Sequence, residues 1–188
     1  MGKSIVLIIL SSLLAMSAWA DGTETLGTPS IPIAEGTNIR AAGVGLNDSQ
    51  PGDINIEIPA GATVNQVILY WGGNNLYSSQ LSATDTIQVG PHSVTGDFIG
   101  GNTQYSSNEF TVAYRADITS LGLVGPGSNT FSVSGIDFPE ERYGAGALVI
   151  FDDGSPKSQI DVRDGSDFAF IYRPSPLNVT EAQTFNFT

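Results

Sequence analysis

An all-β protein, an antiparallel β-sandwich of jelly-roll type, is what this sequence predicts. Three observations carry the prediction. From Thr37 onward, short runs alternate apolar and polar residues, and a period of two marks a strand with one buried and one wet face. Gly, Asn, Asp and Pro, the turn-forming residues, break these runs apart. No window sustains the 3.6-residue period of an amphipathic helix. About ten short strands separated by turn signals read as a sandwich.

The elements follow in order. Lys3, the apolar run from Ile5 to Leu14, and the small residues Ala18 and Ala20 have the layout of a secretory signal peptide over residues 1–20, with cleavage before Asp21. The apolar run falls short of the ~20 residues that span a bilayer. Residues 21–36, with Pro29 and Pro32, read as an extended N-terminal arm. Residues 37–188 read as one sandwich domain. Within it Ile54, Ile56 and Ile58 alternate with polar residues, as do Ile87 with Val89, and Phe110 with Val112 and Tyr114. Phe131 with Val133, and Phe168 with Phe170 and Tyr172, show the same spacing. Val67–Trp71 and Ala147–Phe151 are apolar at every position, as suits central strands covered on both faces. Asp117 is placed to cap one helical turn. Thr184–Thr188 alternates and stops, which reads as an unfinished strand of a longer protein.

Composition excludes several functions. Seven Lys and Arg stand against 19 Asp and Glu, a net charge of −12, with one His and no Cys. A phosphate-binding groove draws on clustered Lys and Arg, so nucleic acid is not an expected partner, and neither is an anionic membrane surface. Disulfides, thiol nucleophiles and Cys-ligated zinc are ruled out. One His cannot build a His-Glu-x-x-His zinc site. His92, between Pro91 and Ser93, reads as a surface turn residue, and no Gly-x-Ser-x-Gly motif accompanies it.

Four pieces occur together: Ile58–Val64, Val67–Gly73, Arg115–Thr119 and Gly144–Phe151. In this order they resemble secreted bacterial β-sandwich modules of unknown biochemical function, found near the start of long surface or cell-wall-anchored proteins. The resemblance covers roughly Arg40 to Phe170. It implies a non-enzymatic, adhesin-like or structural role, secreted or at the cell surface, with no catalytic residues to carry over. The same pieces also have a plain folding role. Tyr70 and Trp71 point to opposite faces of one strand, and Gly144 and Gly146 let a strand pass close beneath another layer.

Two groups are candidates for ligand chemistry. Asp152, Asp153, Asp161, Asp164 and Asp167 lie near glycines, and clustered carboxylates on loops are what calcium requires. They miss the EF-hand register and contain Arg163, so hairpin turns are the preferred reading and no cofactor is expected. Tyr77 and Tyr105 sit in polar loops and can stack on sugar rings, which makes a carbohydrate-binding module the alternative function. A polysaccharide hydrolase is the third reading, since no motif selects an acid and a nucleophile. A glycan or another surface protein is the expected partner. Lys157, in a turn after Pro156, is expected to be exposed and free of any isopeptide link.

Overall fold

A computed structural model describes residues 18–19, 24–76, 84–104, 109–139 and 141–187 of the chain. Most of the expected leader, Asp21, Tyr77 and Tyr105 lie outside the described residues.

The strands are β1 (Ala18–Trp19), β2 (Asn38–Gly45), β3 (Gly52–Ile58), β4 (Thr63–Asn75), β5 (Thr86–Val89), β6 (His92–Thr95), β7 (Asp97–Gln104), β8 (Phe110–Asp117), β9 (Gly127–Ser134) and β10 (Glu141–Asp152). They form two sheets, ordered β1-β7-β8-β4-β10-β2 and β3-β9-β5-β6. Pairing is antiparallel throughout except for the two-residue β1, which runs parallel to β7. The molecule is therefore an all-β sandwich. Among the described residues its one helical element is a 3-10 turn at Thr119–Leu121. Asp117 Oδ1 accepts the Thr119 N–H at 3.0 Å, so the expected capping carboxylate serves this turn from two residues upstream.

The core lies between the sheets. Ile54, Ile56 and Ile58 of β3, Ile87 and Val89 of β5, and Phe131 and Val133 of β9 project from the four-stranded sheet. Val67, Leu69 and Trp71 of β4, Val112 and Tyr114 of β8, and Ala147, Val149 and Phe151 of β10 meet them. The alternating runs supply one face each, because successive side chains on a strand point to opposite sides. Trp71 and Tyr114 stack with ring centroids 5.7 Å apart. Their polar atoms are answered by Thr84, whose carbonyl accepts from Trp71 Nε1 at 3.1 Å and whose hydroxyl lies 3.0 Å from that of Tyr114.

The two continuously apolar runs fall in β4 and β10, neighbours at the centre of the six-stranded sheet. As expected of central strands, both of their faces are covered. Ile68 and Ile150 point away from the core and are nonetheless fully buried, each at 0% exposure. Among the described residues the covering layer is neither a helix nor a third sheet. It is irregular chain from before β2 and after β10, residues 24–37 and 153–167, laid across the outer face.

Hydrogen bonds fix this cover. Gly27 and Asp164 exchange backbone bonds at 2.8 and 2.9 Å, and the Ser158 N–H donates to the Gly36 carbonyl at 3.0 Å. Gln66 on β4 clamps the arm, accepting from the Ala34 N–H at 2.8 Å and donating to the Pro32 carbonyl at 3.0 Å. The contact is close: a Cβ on Gly36 would sit 2.6 Å from Ile150 Cγ2. The N-terminal arm is thus extended, as read from the sequence, but docked.

Three expectations are corrected. The polar positions of the Phe110–Tyr114 run are not wet, since Thr111 and Arg115 are buried under the cover at 5% and 1% exposure. Phe168, Phe170 and Tyr172 form no strand. There the Arg173 N–H closes a turn onto the Phe170 carbonyl at 2.9 Å, and Pro174 and Pro176 offer no ladder donors. Residues 184–187 are irregular as well. Phe185 and Phe187 stack on each other, and the Arg163 guanidinium lies 5.6 Å from the Phe185 ring centre.

Candidate functional site

The outer face of the six-stranded sheet is built in rows that run across the strands. One row reads Gly45, Gly144, Gly72, Ala113, Gly100 on β2, β10, β4, β8 and β7, each paired in register with the next. Four glycines and an alanine leave almost no side chain along it. Gly144, at φ +144°, holds a backbone conformation that L side chains rarely adopt. The next row reads Gly43, Gly146, Tyr70, Arg115, Asp97. Where the cover crosses the first row at Gly100, a Cβ there would lie 3.0 Å from the carbonyl carbon of Gly165.

The cover does not fill the trough. A cavity of about 590 Å³ remains between Tyr70, Thr111, Ala113 and Leu148 below and Leu26 and Val162–Ser166 above, with Tyr143 at its side. A second hollow of about 420 Å³ continues over Ala41, Gly43 and Gly146, sharing Tyr70 and Leu148 with the first. The larger volume is in the range of small-molecule sites. Its walls are chiefly apolar.

Two polar groups of the lining residues are unanswered. The buried hydroxyls of Tyr70 and Thr111 have no hydrogen-bond partner among the described residues. An unmet buried hydroxyl costs about 1–3 kcal/mol. Removal from water holds the Tyr70 pKa up at about 12, aided by the nearby Asp164 carboxylate and opposed by Arg115. Tyr70 is therefore a neutral hydrogen-bonding group at physiological pH. Tyr143, 51% exposed at the rim, donates its hydroxyl to Asn74 Oδ1 at 2.7 Å.

The charges beside the cavity are paired, although the buried Nε of Arg115 has no hydrogen-bond partner among the described residues. Arg115 donates Nη1 to Asp164 Oδ2 at 2.6 Å and Nη2 to Ser30 Oγ at 2.8 Å, and lies 3.5 Å from Asp97. This guanidinium ties the sheet to both halves of the cover. Arg163 is held by Asp161, with Nη2 to Oδ2 at 2.9 Å.

The calcium candidates are placed apart in their bonding. Asp152 accepts from Asn65 at 2.9 Å and pairs with Lys157 at 3.0 Å. Asp153 accepts from the Thr37 hydroxyl and from Ser155. Asp161 pairs with Arg163, Asp164 with Arg115, and Asp167 accepts from the Glu181 N–H at 2.8 Å. Among the described residues, no group of three or more His, Asp or Glu side chains is placed to hold a metal ion. Lys157 is 57% exposed, in keeping with its turn sequence. His92 opens β6 opposite Val89, on the other sheet.

Sequence reasoning passed over Tyr70, Thr111 and Arg115 as site residues. The signal available was Arg115 itself, a cation inside an apolar strand sequence. Compared with protein-family models, with curated proteins and with solved structures, the chain gives no match.

Proposed function

We propose that the protein is a secreted, non-enzymatic β-sandwich module that serves adhesion or surface structure, with the cavity on the outer face as its contact site. The observation that supports this reading most is the pair of buried, unpartnered hydroxyls of Tyr70 and Thr111 in a cavity of ligand size. The cavity's carboxylate, Asp164, is engaged by Arg115, which suits holding a ligand better than transferring its protons. We also read the connectivity as jelly-roll type. The orders β2-β10-β4-β8 and β3-β9-β5-β6 send the chain from sheet to sheet as two interleaved Greek keys would, with β7 added beside β8.

The carbohydrate-binding alternative draws on Tyr143, an aromatic ring about half exposed among the residues that line the cavity. Adhesion of protein-coated beads to bacterial cell envelopes, run beside a glycan array and a polysaccharide turnover panel, tests the reading. Adhesion that Ala113→Leu abolishes, without turnover, is expected. Turnover of any polysaccharide, or adhesion indifferent to that substitution, contradicts it.

A further inference from the structure

The reading above leaves the ligand's chemistry open, and the cavity constrains it. Its floor is Gly72, Ala113 and Gly144, with Leu26, Leu148 and Val162 around it, so most of what enters meets carbon. Thr111 is 5% exposed, lines the cavity, and has no partner for its hydroxyl among the described residues. The Tyr70 hydroxyl, equally unpartnered, supplies a second contact on the neighbouring strand, two rows away across the Gly72–Ala113 row. Arg115 and Asp164 neutralise each other at 2.6 Å, as do Arg163 and Asp161. A charged ligand entering here would lose its hydration and find no free counter-charge. A buried monosaccharide would carry more hydroxyls than two side chains can answer.

Resting on the reading of this cavity as the ligand site, we propose that it takes an uncharged, mainly apolar small molecule with one or two acceptor oxygens, held by the Thr111 and Tyr70 hydroxyls. The glycine row gives it a flat floor, which favours a planar or slender shape. Carbonyl-bearing aromatic and acyl compounds are the matching class.

Nile red, an uncharged planar dye with a carbonyl oxygen, is the probe, titrated into the purified protein and followed by fluorescence. Saturable one-to-one binding is expected. Thr111→Val should weaken it about fivefold, the loss of one neutral hydrogen bond. Ala113→Leu should abolish it by filling the floor, and Leu148→Phe should do the same from the wall should the first variant fail to fold. Val179→Ser, 59% exposed and away from the cavity lining, should leave it unchanged. The anionic dye anilinonaphthalene sulfonate and the neutral sugar cellobiose are titrated in parallel. Tighter binding of either one than of Nile red, lost on Ala113→Leu, overturns the ligand class and keeps the cavity as the site. Absent binding, or binding of all three probes that ignores the cavity-filling variants, overturns both.

Discussion

The two faces of the six-stranded sheet are made from the same strands and differ in almost every physical respect. The inner face meets a second sheet across a dry layer of Val, Leu, Ile and Phe, with Leu69, Val149 and Phe151 each at 0% exposure. The outer face carries glycines, Tyr70 and Arg115, and meets irregular chain. Sheet-on-sheet packing lets two regular surfaces interdigitate and close out voids. An irregular cover touches where hydrogen bonds pin it and leaves hollows between the pins. Close packing and open volume have been separated onto opposite sides of one sheet.

Breaking the main pin should have the largest effect. Arg115→Ala leaves Asp164, 9% exposed, as a buried carboxylate without its cation, and should cost about 3–5 kcal/mol in urea unfolding. Replacing both partners with apolar residues, Arg115→Met with Asp164→Leu, should recover much of the loss. A cost below about 1 kcal/mol for Arg115→Ala would mean that the cover is not held through this ion pair.

Truncation on each face sharpens the contrast. Leu69→Ala opens a cavity in the packed core and should cost about 2–5 kcal/mol. Leu148→Ala, on the next strand but already bordering two hollows, should cost about 1 kcal/mol or less, since few contacts are lost there. Equal costs would erase the distinction between the faces. Thr111→Val keeps shape and removes an unanswered hydroxyl, so thermal melting should show stability unchanged within about 1 kcal/mol, or raised.

The smallest effects are those of pH. Partial burial of Asp117 acts to raise its pKa, but hydrogen bonds from Thr119 and Gln66 outweigh this and lower it. Bonds from Ser155 and Thr37 hold Asp153 at about 2 against an ordinary 3.8. Carboxyls depressed in the folded state stabilise it fully above their ordinary pKa and lose that contribution as pH falls through the folded value. Melting temperature should therefore fall between about pH 4 and pH 2. Tyr70 is raised instead, from 10.0 to about 12, so its contribution is intact below pH 10 and is lost as pH climbs towards 12. Burial also raises Tyr114, so phenolate absorbance should show late-titrating tyrosine in that window, reduced by one in Tyr70→Phe.

The inner face was legible in the sequence and the outer face was not. Alternation in Ile54–Ile58 and Phe131–Val133, and unbroken apolarity in Val67–Trp71 and Ala147–Phe151, are local signals that burial writes directly onto a strand. The latter two runs even disclosed that something covers the outer face. What covers it carries no period, because residues 24–37 and 153–167 are irregular, and Ser30 and Asp164 look like any loop residues until Arg115 is seen between them. The trough needs register: Gly45, Gly72, Gly100, Ala113 and Gly144 are scattered along the chain and align only when five strands pair. Alternation misled where no neighbouring strand was present to use it, at Phe168–Tyr172 and at the chain end.

That the outer face is sealed by the chain's own irregular segments is most directly tested by thiol reactivity. The protein has no Cys, so one introduced thiol reports alone. Ile68→Cys places it under the cover, where Ile68 is 0% exposed, and Ile39→Cys places it on the same face at the open edge, where Ile39 is 44% exposed. With the cover docked, the thiol at position 68 should react with a maleimide at least about a hundredfold more slowly than the thiol at position 39, the protection given by an opening free energy of about 2.7 kcal/mol. Arg115→Ala in the same background should remove much of that difference. Equal rates at the two positions with Arg115 in place would contradict a covered outer face.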